Sequence, residues 1–400
     1  MDGILQKTEA IPSRPAAARV TATTVPWSEW CLAIAAASIA VGVIWDISWH
    51  VSIGRDSFWT AAHMVIYFGG TLGGCVGGWL AIQNTFLANP EQRAAAVRIL
   101  GARAPLGAWV AIWGAVAMLT SAPFDNWWHN AYGLDVKIIS PPHVLLGLGM
   151  LGICVGALLL AVARQNREPE GAGGAIFIFT GGIFVVLGGV FITEFSYPNF
   201  QHAAAFYSVA GGMFAFRLIT VGRAGRVAWP ATKAALVYIC VDCLMTWILP
   251  LFPAQPRLAP IFNPVTHMVP PAFPLLLVFP AIGLDMYLRH GCENDSGGWQ
   301  RVLHALALGA IFLVIFLPVQ WLCADFMLSP HADNWFFAGN RTWGYGAEPG
   351  AWRREFWDVN EGFGQPTVRT AIALLHNLFW TGLSAWFGLV WGGWMRKVRR

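Results

Sequence analysis

The chain has 400 residues, 56% of them hydrophobic and only 12% charged, with 22 Trp, 26 Phe and 43 Gly. Soluble domains carry about 25% charged residues, so an ordinary soluble enzyme is excluded, and the mean hydropathy of +0.54 agrees. A net charge of +4 spread among apolar runs excludes a nucleic-acid-binding protein and leaves membrane topology to explain the basic excess.

Crossing a hydrocarbon core of about 30 Å takes roughly 20 apolar residues. Ten stretches qualify, near 28–50, 58–82, 105–128, 140–164, 174–195, 200–222, 229–250, 270–288, 301–325 and 368–394. Backbone polar groups must be satisfied within each segment in lipid, so these are predicted helices. The predicted fold class is an all-α, polytopic membrane bundle. Residues 1–27, polar and rich in Ala, Pro and Thr, read as a cytoplasmic tail. With that tail inside, most Lys and Arg fall on the inner side, including Arg93, Arg98, Arg103, Arg164, Arg167, Arg223, Arg226 and the 396–400 cluster. The bias predicts both termini inside.

The first predicted span ends in Trp45-Asp46-Ile47-Ser48-Trp49-His50, and the second begins at Phe58-Trp59-Thr60-Ala61-Ala62-His63. A helix puts Asp46 and His50 on one face, and the hairpin returns His63 to the same end. The pattern recurs. The third span ends in Asp125-Asn126-Trp127-Trp128-His129, and the fourth opens with Ser140-Pro141-Pro142-His143, while Gly133 and Asp135 answer Gly54 and Asp56. Two imidazoles and one carboxylate form a common ligand set for copper, iron or zinc with positions left open. Ionisable groups at membrane depth are expensive and default to function. The candidate metal ligands, and with them the candidate catalytic residues, are Asp46, His50, His63, Asp125, His129 and His143. Arg55, Asp56 and Asp135 are read as groups that orient ligands or structure the loops. The nearby Trp45, Trp49, Trp59, Trp127 and Trp128 suit cavity walls or interfacial anchors.

These residues carry a resemblance. The run Asp46-x3-His50-x2-Ile53-x-Arg55-Asp56 to His63 resembles the metal-site hairpin of the C subunit of the copper-dependent membrane monooxygenases, the particulate methane and ammonia monooxygenase family. Asp125-x3-His129-x13-His143 is similar to that subunit's next hairpin, where Asn, His and His supply a neighbouring site. Here Asp125 takes the Asn position and adds a negative charge. Later, Pro260-Ile261-Phe262-Asn263-Pro264-Val265-Thr266-His267, Pro270 and Tyr287-Leu288-Arg289-His290-Gly291 resemble a stretch of the family's A subunit, with Phe273 where that subunit has an acidic residue. The resemblance implies a C-like portion at 28–222 and an A-like portion at 229–395. It implies one or two copper ions and hydroxylation of a small apolar or ammonia-like substrate with O2. It also implies electrons from quinol or another donor, partner subunits including one with a cupredoxin domain, and residence in a bacterial-type inner membrane.

Other features complete the reading. An outer loop at 326–367 gathers Trp335, Trp343, Trp352 and Trp357 and reads as a functional cap or an aromatic belt. His202 with Glu194, His267, His331 and His376 are read as structural histidines, with His267 and His376 as possible extra ligands. Asp242 is expected to pair with a neighbour inside its span. The seven Cys make no disulfide framework, and Cys240-x-x-Cys243 reads as helix packing. Competing readings are a non-enzymatic copper-binding protein or structural subunit, and a haem- or quinol-carrying redox subunit. Scattered Met disfavours copper transport, and histidines gathered on one side disfavour stacked haems.

Overall fold

The computed structural model describes residues 25–54, 57–133, 140–168, 173–257, 265–291, 297–339, 353–356 and 366–400. Helices α1 (Trp27–Ser52) and α2 (Ala61–Ile82) form the first hairpin, and a π turn and the short α3 (Pro90–Ala94) follow. Strands β1 (Val97–Ile99) and β2 (Ala102–Ala104) pair antiparallel, with Val97 opposite Ala104. Helices α4 (Leu106–Tyr132) and α5 (Pro141–Arg167) form the second hairpin, followed by α6 (Gly173–Phe191). The remainder comprises α7 (Ala204–Ala210), α8 (Phe216–Ala224), α9 (Pro230–Ile248), α10 (Val278–Gly291), α11 (Gly298–Met327) and α12 (Pro366–Met395). Helices α7 and α8 are joined through a π turn at Gly211–Ala215 into one 21-residue crossing.

Among the described residues nine helices are long and apolar enough to cross a membrane. The eighth expected span, 270–288, departs from the expectation. Residues 268–277 are non-helical, and α10 has only 14 residues. Pro270, Pro271 and Pro274 explain the break, because proline lacks an N–H and pushes the residue before it out of the helical region. Non-helical backbone at membrane depth must be satisfied by protein, and here side chains from other helices do so. Val269 N–H donates to Ser52 Oγ at 2.8 Å, Leu275 N–H to Tyr238 Oη at 3.1 Å and Leu276 N–H to Gln320 Oε1 at 2.9 Å. Ser48 Oγ donates to the Val269 carbonyl.

The two hairpins are packed through small residues. Helices α4 and α5 meet so closely that a Cβ on Gly114 would stand 2.7 Å from both Gly149 O and Ile153 N. In the first hairpin a Cβ on Gly69 would stand 2.7 Å from Ala35 O. Close backbone approach is how membrane helices associate when lipid is as apolar as the side chains. Helix α1 packs between α2, α5 and α6, while α7 and α8 pack chiefly on α12. At the opposite end of α1 from the triad, Arg164 of α5 grips Glu29 in a two-pronged ion pair at 2.7 and 2.8 Å, both side chains 9% exposed.

The described part of the 326–367 loop caps neighbouring turns. Trp335 stacks on Trp247 with ring centres 5.5 Å apart, Arg353 pairs with Asp325 at 2.6 Å, and Ala204 N–H donates to Phe356 O. Trp343, Trp352 and Trp357 lie outside the described residues, as do the 1–24 tail, Arg55, Asp56, Asp135, Cys292 and Pro260–Pro264. The six described cysteines are free.

Candidate metal centre

Helix α1 carries Asp46 and His50 one turn apart near its C-terminal end, and α2 returns His63 in its first turn. The structure brings the three together. Asp46 faces both imidazoles, with Oδ1 3.0 Å from His63 Nε2 and Oδ2 3.8 Å from His50 Nε2. The second hairpin repeats the arrangement. Asp125 Oδ1 stands 3.7 Å from His129 Nε2 and 3.5 Å from His143 Nε2. In both, the carboxylate is the hub.

Local hydrogen bonds prepare His63 in particular. Thr60 Oγ1 accepts Ser57 N–H at 2.8 Å, and Thr60 N–H returns a bond to Ser57 O at 3.0 Å. The turn so held presents Ser57 O to His63 Nδ1 at 2.9 Å. A carbonyl can only accept, so Nδ1 carries the proton, and in the neutral ring Nε2 carries the lone pair. That lone pair stands beside a carboxylate oxygen, an arrangement that repels unless a cation lies between. Asp46 Oδ1 is shielded from water and accepts no hydrogen bond, so the 3.0 Å contact to His63 is not aligned as one. Ligand lone pairs in a metal shell converge on the ion and not on each other. Asp125 Oδ1 is likewise shielded and accepts no hydrogen bond.

Separations by themselves do not close a shell. Ligand atoms each about 2.0–2.1 Å from a tetrahedral metal lie about 3.3 Å apart. The observed N···O distances, 3.0, 3.5, 3.7 and 3.8 Å, bracket that value. Among the described residues no set of three or more His, Cys, Asp or Glu side chains is closed tightly enough to hold a metal ion as it stands. In the first triad His50 is the most exposed member, its side chain 48% exposed against 20% for Asp46 and 19% for His63. The second triad is evenly exposed, at 30–36%. The donor set and the shielded acceptor oxygens are the features of both triads that suit a metal.

The tryptophans divide. Trp45 and Trp49 are partly buried against the core, whereas Trp59 and Trp127 are exposed, the placement expected of interfacial anchors. Phe124, Trp127, Trp128 and Tyr132 form an aromatic cluster beside the second triad. The remaining histidines find partners of their own. His202, fully buried, bonds Asp325 through Nε2 at 2.9 Å and meets the Trp321 ring edge-on. His376 sits between Ser208 Oγ at 3.0 Å and Trp380 Nε1 at 2.8 Å. His267 is beside Thr266 Oγ1 at 3.3 Å, and His331 and Glu194 are exposed. Asp242 has the neighbour expected of it, the hydroxyl of Tyr238 one turn earlier. Sequence reading did not find the Ser57–Thr60 turn that orients His63, although a Ser-x-x-Thr pattern three residues before the histidine was there to be read. Compared with known proteins, the chain matches no family model, and no curated protein and no solved structure is significantly similar to it.

Proposed function

We propose that the chain is a membrane-bound copper-dependent monooxygenase, or the metal-carrying subunit of one, that hydroxylates a small apolar or ammonia-like substrate. The observation that carries the reading is the first triad, where His63 turns the lone pair of Nε2 toward Asp46 while Ser57 O holds its Nδ1 proton. The Asp/His/His spacing of both hairpins and its resemblance to the copper membrane monooxygenases supply the choice of metal and reaction. Asp46, His50 and His63 would hold one ion and Asp125, His129 and His143 a second.

Copper, when bound, supplies redox chemistry toward O2. The overall reaction takes substrate, O2, two electrons and two protons to the hydroxylated product and water, with the electrons from quinol or another donor. The chain's own part is to place a negative charge beside the cation, to fix the tautomer of His63 and to leave each site partly open. Exposed triad edges beside Trp59 and Trp127 would give an apolar substrate access from the lipid or from a partner subunit's surface. In this reading the triads face the outer side of a bacterial-type inner membrane, both termini lie inside, and a cupredoxin-domain subunit accompanies the chain.

The test is metal analysis and turnover on purified protein reconstituted with copper. Copper lost in His50→Ala combined with His129→Ala, and substrate hydroxylated by wild type with reduced quinol in the presence of its partners, supports the proposal. Copper bound without O2 consumption makes the chain a non-enzymatic copper-binding subunit. No copper after reconstitution removes the reading.

A further inference from the structure

A groove runs along the outside of the bundle between α6 and α9. One wall is Gly174, Ala175, Ile178 and Phe179, in the first two turns of α6, and the other is Val237 of α9 with Val227 of the turn before it. Its volume is about 460 Å³, within the roughly 300–1,000 Å³ of sites that hold small ligands. Small residues at the start of α6 leave the space. Close contacts bound it, since a Cβ on Gly174 would stand 2.8 Å from Val227 Cγ1 and one on Gly182, a turn deeper, 2.3 Å from Val237 Cβ.

Among the described residues one lining side chain is polar. Lys233, in the first turn of α9, is exposed, and no described carboxylate pairs with its ammonium. The acidic groups at this end of the bundle are already held. Arg164 bonds both Glu29 and Glu168, and Asp285 accepts the N–H groups of Ala231 and Thr232. Arg226, next to the lining Val227, is exposed as well, with its Nε–H donated to Asn166 Oδ1 at 2.8 Å. Two cations without a carboxylate between them therefore stand at the mouth of an apolar floor. Aromatic side chains mark the depth. Trp27 and Trp30, at the same end of α1, are 60% and 38% exposed, and the Trp30 ring lies 6.5 Å from that of Phe179 in the groove wall. Exposed tryptophans belong at the headgroup level, so the groove opens among the headgroups and runs into the hydrocarbon. Water leaves such a floor unsatisfied, and a ligand with an apolar chain and one anionic group at its end matches both parts.

We propose that this groove binds one anionic phospholipid, an acyl chain lying between α6 and α9 and the phosphate on Lys233. Native mass spectrometry of the full chain, freed of lipid in detergent and titrated with phosphatidylglycerol or with phosphatidylcholine of the same acyl chains, tests it. The first phosphatidylglycerol should bind about fivefold or more tighter than phosphatidylcholine, and Lys233→Gln should remove that preference. Ala175→Phe fills the floor from an exposed position, leaves every charge in place and should weaken the binding of both lipids. If Ala175→Phe fails to fold, Lys233→Gln, a change at an exposed side chain, decides the matter. Equal affinity of wild type for the two lipids overturns the proposal. So does a preference kept in full by Lys233→Gln, or phosphatidylglycerol bound by folded Ala175→Phe as tightly as by wild type, because the lipid would then sit elsewhere.

Discussion

The most specific consequence of the candidate metal centre concerns a residue that touches no metal. Thr60 is 5% exposed, and its hydroxyl oxygen accepts Ser57 N–H, tying down the turn whose carbonyl holds His63 Nδ1. Thr60→Val keeps the volume and removes the acceptor, leaving Ser57 N–H to find another partner. A hydrogen bond of this kind is worth about 1 kcal/mol net, and because Ser57 is exposed water can take up its freed N–H. If the turn loosens by that amount, the alignment of His63 with Asp46 is lost in the same proportion. Since 1.4 kcal/mol is about tenfold in an equilibrium constant, copper binding at the first triad should weaken by about fivefold. The assay is competition for Cu(I) between the purified protein and a chromophoric chelator, with His63→Ala as the benchmark for loss of a ligand. Copper affinity of folded Thr60→Val equal to wild type, alongside a weakened His63→Ala, would refute the orienting role of the turn. Equal affinity in all three would refute the first triad as a copper site.

Further outcomes follow from packing and charge. Gly114→Val places carbon where Gly149 O and Ile153 N already stand at 2.7 Å from a Cβ, so a loss of about 1–3 kcal/mol or more is expected, read as a lower midpoint of thermal unfolding. Arg164→Leu strands Glu29 in its buried pair, with an expected cost of about 3–5 kcal/mol, whereas Arg353→Ala at the half-exposed pair with Asp325 should cost under about 1 kcal/mol. Burial holds the His202 imidazole below its ordinary value of 6.5, against the opposing pull of Asp325, and its Nδ1 is buried without a hydrogen-bond partner. A histidine kept neutral by folding binds fewer protons than the unfolded chain, so stability falls as pH drops through about 6.5 and is unaffected well above it. His202→Gln should flatten that slope in unfolding midpoints measured from pH 5 to pH 8, and an unchanged slope would assign the acid sensitivity to other groups.

Much of the bundle was legible because a lipid-spanning helix announces itself through length and hydropathy alone. The first expected span, 28–50, is α1 at Trp27–Ser52, and 140–164 is α5 at Pro141–Arg167. Average hydropathy failed at 270–288, where the apolar run continues but Pro270, Pro271 and Pro274 deny it a helix until Val278. Whether such a break can exist at membrane depth depends on donors and acceptors from Ser48, Ser52, Tyr238 and Gln320, each at least 30 positions away in the chain, and no local pattern reports them.

The triads show the same division. Helical periodicity by itself put Asp46 beside His50 and Asp125 beside His129, and the hairpin turns put His63 and His143 at the same ends, because neighbours one turn apart share a face whatever surrounds them. Only the tertiary structure decided that the carboxylate is the hub, that the Ser57 carbonyl selects the tautomer of His63, and that Trp59 looks outward while Trp49 packs inward. It also decided the surroundings of Asp242, a lone acid in an apolar run until α1, α6 and the broken crossing close around it. Spacing along one helix is a local property that sequence carries, whereas the direction in which a hydroxyl spends its single hydrogen depends on chain segments that meet only after folding.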